Sequence, residues 1–262
     1  MKVIISSLFA AMLLMSASAC ADTIHASRNI VTKTVTTGDF NSITTTSSVD
    51  VEYIQSPNRS IVISAPDNII KYVEVTTSGK DLKVGYKTAT NIALSNSKVV
   101  VKVSAPDVTD FTTNSSGDID IKSSLTANGT VTFNTNSSGD IEAKAIRCNN
   151  FKARTNSSGD IEVSGVTCAG LSAVTYSSGD IKIYSISATT VEASTKSSGD
   201  IKLSGRCSTA SFSTNSSGDI KAKTLIAESI DARTNSSGDI YCSGKNVNSK
   251  ESSSGEIHIN RR

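Results

Sequence analysis

Two sets of residues in this 262-residue chain could do chemistry. The first is a regular row of acids: Asp118, Asp140, Asp160, Asp180, Asp200, Asp219, Asp239 and finally Glu256. Carboxylates brought close together hold a hard cation such as Ca²⁺, or they accept backbone N–H groups in turns. The second set is small. There are two histidines, His25 and His258, near opposite ends of the chain. Nothing in their spacing places a nucleophile, a base and an orienting acid together, so no catalytic residue is assigned. Cleavage of a polysaccharide would need a singular acidic cluster. Here the acids are alike from one copy to the next, and none stands apart.

The elements that carry these acids decide between the two readings. Each acid follows a glycine in a short phrase, Ser-Ser-Gly-Asp-Ile, varied only at its last copy. The glycines are Gly117, Gly139, Gly159, Gly179, Gly199, Gly218, Gly238 and Gly255. Their successive differences are 22, 20, 20, 20, 19, 20 and 17 residues. Such a period, with strand-like content between the marks, is the signature of a stacked solenoid. Alignment of the copies gives columns. Ile119, Ile141, Ile161, Ile181, Ile201, Ile220, Ile240 and Ile257 form one internal stack. Two residues later come Ile121, Ala143, Val163, Ile183, Leu203, Ala222, Cys242 and Ile259. Before the turn, Phe151 accompanies Ala153 and Ala210 accompanies Phe212, the volume compensation expected inside a packed core. A looser column of Leu125, Ile146, Val166, Ile186 and Leu225 marks a third short side, and the 19-residue coil loses its residue there, around Gly205-Arg206-Cys207.

The chain therefore reads as all-β: a right-handed parallel β-helix over residues 111–262 with coils of about 20 residues. A β-rich segment over residues 29–110 is expected to stack on it or cap it. Seven intervals of about 4.8 Å make an array roughly 34 Å long. Within the phrase, Gly is expected to be the left-handed residue of a tight turn. Thr135, Thr155, Thr175, Thr195, Thr214 and Thr234 form an inward hydroxyl column, and Ser137 to Ser236 form a second. Asn114, Asn136, Asn156, Asn215 and Asn235 form an outward ladder interrupted by Tyr176 and Lys196. The Asp row is read first as turn structure. A Ca²⁺ ladder is its alternative, and no other cofactor is implied.

Residues 1–21 read as a signal peptide, with Lys2 as the charged start and an apolar run too short to span a bilayer comfortably. The chain is thus expected to be exported, to the outer membrane, the periplasm or the cell surface. Cleavage after Ala19 or Ala21 would release it. Alternatively, Ala17-Ser18-Ala19-Cys20 reads as a lipobox in which Cys20 is lipidated and residues 22–28 form a tether. Membrane contact is expected only through such an anchor. Four cysteines then remain of five. Cys148 and Cys168, one period apart, are candidates for a disulfide between neighbouring coils. The net charge of +2 gives no electrostatic case for nucleic acid. Breaks in the pattern at Tyr176, Tyr184, Lys196 and Arg206 mark the candidate ligand surface, suited to a surface glycan or a protein. Open solenoid ends also invite self-association.

The repeats resemble the Bacteroidetes head GIN domain family, described as "putative auto-transporter adhesin" heads. The opening Gly38-Asp39-Phe40-Asn41-Ser42-Ile43, the middle Ala65-Pro66-Asp67-Asn68-Ile69-Ile70 and the strand from Val99 to Pro106 are similar in kind. This chain has Ser where that family's phrase begins with a first Gly. The resemblance implies a β-helix-like fold, export, frequently a lipoprotein signal, and no catalytic residues. An exported, non-enzymatic envelope protein that adheres or scaffolds is therefore expected, with a glycan-binding or polysaccharide-cleaving β-helix as the alternative.

Overall fold

The computed structural model describes residues 24–87, 92–93 and 98–261. Residues 1–21, expected to be a signal peptide and including the lipidation candidate Cys20, lie outside the described residues. The described chain is a β-solenoid whose coils stack in parallel register. Ile119 pairs with Ile141, Ile141 with Ile161, and so on through Ile181, Ile201, Ile220, Ile240 and Ile257. The register holds because a one-residue slip would turn each strand's Ile and Val outward. All but the last of these isoleucines are buried.

The stack extends upstream of the first Ser-Ser-Gly-Asp phrase. Strand Ser42–Thr45 pairs in parallel with Asp110–Thr113, and Asp50–Gln55 pairs with the strand beginning at Ile119. Strands Asp81–Tyr86 and Val100–Ala105 lie in parallel on the far side of these two. Beyond them the pairing turns antiparallel, with Ser60–Pro66 between Ile30–Val35 and Val100–Ala105, and Val73–Ser78 against Asp81–Tyr86. These antiparallel strands cover the N-terminal end of the stack. After Pro66 the chain makes a 3₁₀ turn at Ile70–Tyr72. An edge-to-face run of rings, Tyr53, Phe111, Phe133 and Phe151, spaced 5.1 to 5.4 Å apart, fills the core where cap meets array.

Several expectations are corrected. The motif glycines are not left-handed: among the described residues only Gly79 and Gly205 have positive φ among the glycines. Glycine is needed in the phrase because the backbones of successive coils touch there. A Cβ on any motif glycine of the array would sit 2.2 to 2.4 Å from a carbonyl oxygen of the preceding coil. Gly205, at φ 127°, is where the 19-residue coil drops its residue, opposite the bulge between Ile183 and Ile186. The Ser137 column is half-buried rather than fully inward.

Residues 24–28, expected as part of a tether, are instead fastened to the cap. Asn68 Nδ2 donates to the carbonyl of His25 at 2.8 Å, and Ser27 Oγ donates to Asp67 Oδ1 at 2.5 Å. Cys148 and Cys168 do lie on adjacent coils, but all four described cysteines are free thiols. Cys148 Sγ is directed instead to the carbonyl of Asn150, at 3.1 Å.

Candidate functional site

The phrase that dominates the sequence is occupied with structure. Each Thr of the inner column is fully buried and donates its hydroxyl to the glycine carbonyl of the next coil: Thr113 to Gly139, Thr135 to Gly159, and on to Thr234 and Gly255, at 2.8 to 3.1 Å. Thr45 does the same to Gly117, so the pattern begins in the upstream segment. A buried carbonyl left without a donor would be costly, and threonine supplies that donor.

The aspartates form a second ladder. The backbone N–H of Asp140 donates to Asp118 Oδ1, that of Asp160 to Asp140, and the chain of bonds runs unbroken to Glu256 on Asp239, at 2.7 to 2.9 Å. Asp50 starts it by accepting from Asp118. One oxygen of each of these aspartates is thus held by a turn amide, the adjacent-turn bonding expected of Asx residues. Burial raises the pKa of Asp140, helped by the charges of Asp118 and Asp160. Among the described residues no group of three or more His, Cys, Asp or Glu side chains is arranged to hold a metal ion. The outward Asn ladder is formed between Asn114, Asn136 and Asn156, stops at Tyr176 and Lys196, and resumes between Asn215 and Asn235.

The thiols are not poised for attack. Burial pushes Cys168 and Cys207 up to about 11, and raises Cys148 and Cys242 as well. Such thiols remain protonated at neutral pH and are poor nucleophiles. Cys168 and Cys207 share a column with Ala188 and Ala227, Cys242 lies in the column of Ala222 and Ile259, and these cysteines pack as small apolar residues.

The chemistry that differs from coil to coil lies on outward side chains. The four candidates do not converge. Tyr176 and Lys196 meet on neighbouring coils, with Arg154 and Lys196 over the Tyr176 ring at 5.3 and 5.0 Å. Arg206 lies on the third side, in a shallow groove of about 440 Å³ with Cys207, Ile226, Glu228 and Lys245. Tyr184 belongs to another face, the one that follows the turn.

That face carries the most differentiated chemistry. The residue two places after each motif Asp points outward, and the register joins these positions into one column: Glu52, Asp120, Glu142, Glu162, Lys182, Lys202, Lys221, Tyr241, His258. Four acids give way to three lysines and then to two aromatic rings. In the acidic half, burial together with Asp120, Glu162 and Asp140 raises the pKa of Glu142. In the basic half, Lys182 bonds Asp160 at 3.1 Å and Lys221 bonds Asp200 at 2.5 Å. Lys202 lies over the Tyr184 ring at 5.7 Å and Lys223 over the Tyr241 ring at 4.5 Å. Tyr241 and His258 stack with centroids 4.5 Å apart. Lys202, Lys221, Lys223, Thr224 and Tyr241 line a groove of about 420 Å³. A basic, aromatic groove can stack a ring and attract an anion. The sequence carried the signal for Lys202, Lys221, Tyr241 and His258 in the residue two places after each motif acid, whereas Tyr184 and Lys223 stand four places after theirs.

The chain matches the family model described as "Putative auto-transporter adhesin, head GIN domain" over residues 39–193 and 168–261. It is similar to a crystal structure described as a "putative adhesin" from Parabacteroides distasonis. That match has a TM-score of 0.79 and 17% identity, and covers 91% of this chain and 100% of that one. A second "putative adhesin", from Parabacteroides merdae, matches with a TM-score of 0.77 and 20% identity, covering 91% and 99%. A "putative lipid binding protein" from Parabacteroides distasonis matches with a TM-score of 0.64 and 21% identity, covering 92% and 98%. At these identities the likeness shows the fold. No curated protein matches the sequence.

Proposed function

The chain belongs to the head GIN domain family, and from that premise we propose that it is an exported, non-enzymatic, adhesin-like module of the bacterial envelope. It engages a surface glycan or protein through an outer face of the solenoid. One observation carries this reading: the interior and the turns are uniform from coil to coil, while the face bearing Tyr184, Lys202, Lys223 and Tyr241 is not. A fold supplies a scaffold, and function is read from the site it displays. The site offers cations and rings for binding. The protein's stiffness suits this role, because a binding face built on in-register strands is already ordered before a partner arrives. Among the described residues no helix is long and apolar enough to cross a membrane. Attachment would fall to the N-terminal segment.

The test is adhesion without turnover. Beads coated with the purified chain are washed over a glycan array and over intact cells, and released sugars are assayed for new reducing or unsaturated ends. Retention on the array or the cells with no new ends is the expected result. Release of oligosaccharides, abolished by substitution of a single acid, would show a polysaccharide-cleaving enzyme instead.

A further inference from the structure

Resting on the adhesin-like reading, we infer that the ligand of this face is an acidic polysaccharide. It lies along the solenoid axis across the coils of Lys182 to His258.

The charges are placed for it. Lys202 and Lys223 are exposed, and neither is within ion-pairing distance of a carboxylate among the described residues. Each instead stands over a tyrosine ring. Lys182 and Lys221 differ, since each bridges two aspartates of the turn ladder. The two unpaired ammonium groups are therefore the ones available to a bound anion. They sit on adjacent coils: Lys202 is in register with Lys221, and Lys223 lies two residues further along that strand. Their diagonal offset is longer than the ~4.8 Å between paired residues of parallel strands. Tyr184 beside Lys202 and the Tyr241–His258 stack beside Lys223 supply aromatic surface for the C–H side of a pyranose, and Tyr241 lines a groove of about 420 Å³ with Lys202, Lys221 and Lys223.

The same column sets the direction and the limit of binding. Upstream of Lys182 the in-register neighbours are Glu162, Glu142 and Asp120. A polyanion approaching them is repelled, so the bound segment ends at Glu162. The Asp ladder flanks the whole length, with Asp200, Asp219 and Asp239 beside the lysines. Its charge opposes any polyanion, so an acidic ligand is held where the unpaired Lys202 and Lys223 stand.

Calorimetry with the full chain tests this, using polygalacturonate as the acidic probe, amylose as the neutral one and single-stranded DNA as the phosphodiester polyanion. The variants are Lys202→Glu/Lys223→Glu and, separately, Tyr241→Ala. Polygalacturonate should bind the wild type, weaken with added salt, and lose at least about tenfold in affinity in the lysine double variant. Its melting temperature should not change, because both side chains are exposed. Unchanged affinity in that variant, or tighter binding of DNA than of polygalacturonate, overturns the inference. Binding of amylose but not of polygalacturonate, lost in Tyr241→Ala, also overturns it while leaving the adhesin reading standing. Binding of polygalacturonate by a chain that retains neither cells nor arrayed glycans fails the adhesin reading and leaves the acidic ligand.

Discussion

The coils of Asp120, Glu142 and Glu162 and the coils of Lys182, Lys202 and Lys221 are the same structure with opposite outer charge. Both halves stack isoleucine on isoleucine, both hang a buried threonine from the next coil's glycine carbonyl, and both thread amides onto the preceding aspartate. The column two places after the motif aspartate changes, from acids to lysines and then to aromatic rings. The backbone of each coil is specified from inside, so the outside is free to vary from coil to coil. That separation explains why the most repeated residues of the chain say most about its fold, while binding chemistry is read from the residues between them.

The largest expected effect tests whether the interior is equivalent in the two halves. Gly159→Ala and Gly218→Ala each place a Cβ 2.2 Å from the previous glycine's oxygen. Both should lose more than about 3 kcal/mol in denaturant unfolding, by comparable amounts. A tolerated alanine in either half would mean that the coils there are less tightly stacked than described. Next comes the threonine column. Thr155→Val and Thr214→Val keep the shape but strand the carbonyls of Gly179 and Gly238, a loss of about 1–3 kcal/mol each.

Smaller effects separate the halves. Glu142 has a raised pKa in the folded state, so its ionised form is disfavoured by folding. A carboxyl of this kind opposes folding once the pH exceeds its folded pKa, and does not below its unfolded value of 4.5. Glu142→Gln should therefore be more stable than wild type at pH 7, with the advantage fading as the pH falls towards 4.5. An advantage that persisted at lower pH would assign it to packing instead. The smallest effect expected is that of a chelator. One oxygen of each motif aspartate already accepts a turn amide, so EDTA should leave the melting temperature unchanged in both halves.

Much of this architecture is legible in the sequence, because a solenoid writes its core as columns. Ile141, Ile161 and Ile181 could be aligned from their glycines alone, and the structure pairs them in that register. The threonine and asparagine columns were readable for the same reason. The role of the motif glycine was not. Turn and close approach both ask for glycine, and only the neighbouring coil, brought within 2.2 Å of the missing Cβ of Gly159, tells them apart. The fastening of Ser27 to Asp67 joins residues with no common period, and no pattern announces it. The site was half legible. Tyr184 stands out as a break in the pattern, but it lies in the bulge between Ile183 and Ile186, and its partner Lys202 is in register with Lys182, two residues earlier. Tyr176 and Arg206 stand out equally in sequence, yet belong to other faces.

The central claim is that the outer column can be rewritten without touching the fold, and that its charge decides what binds. Glu142→Lys/Glu162→Lys extends the basic column by two coils into the acidic half. The most direct measurement is the affinity of this variant for polygalacturonate, taken beside its melting temperature. Tighter binding than wild type, with melting unchanged or raised, is the predicted result. Affinity equal to wild type in a fully folded variant would contradict the claim.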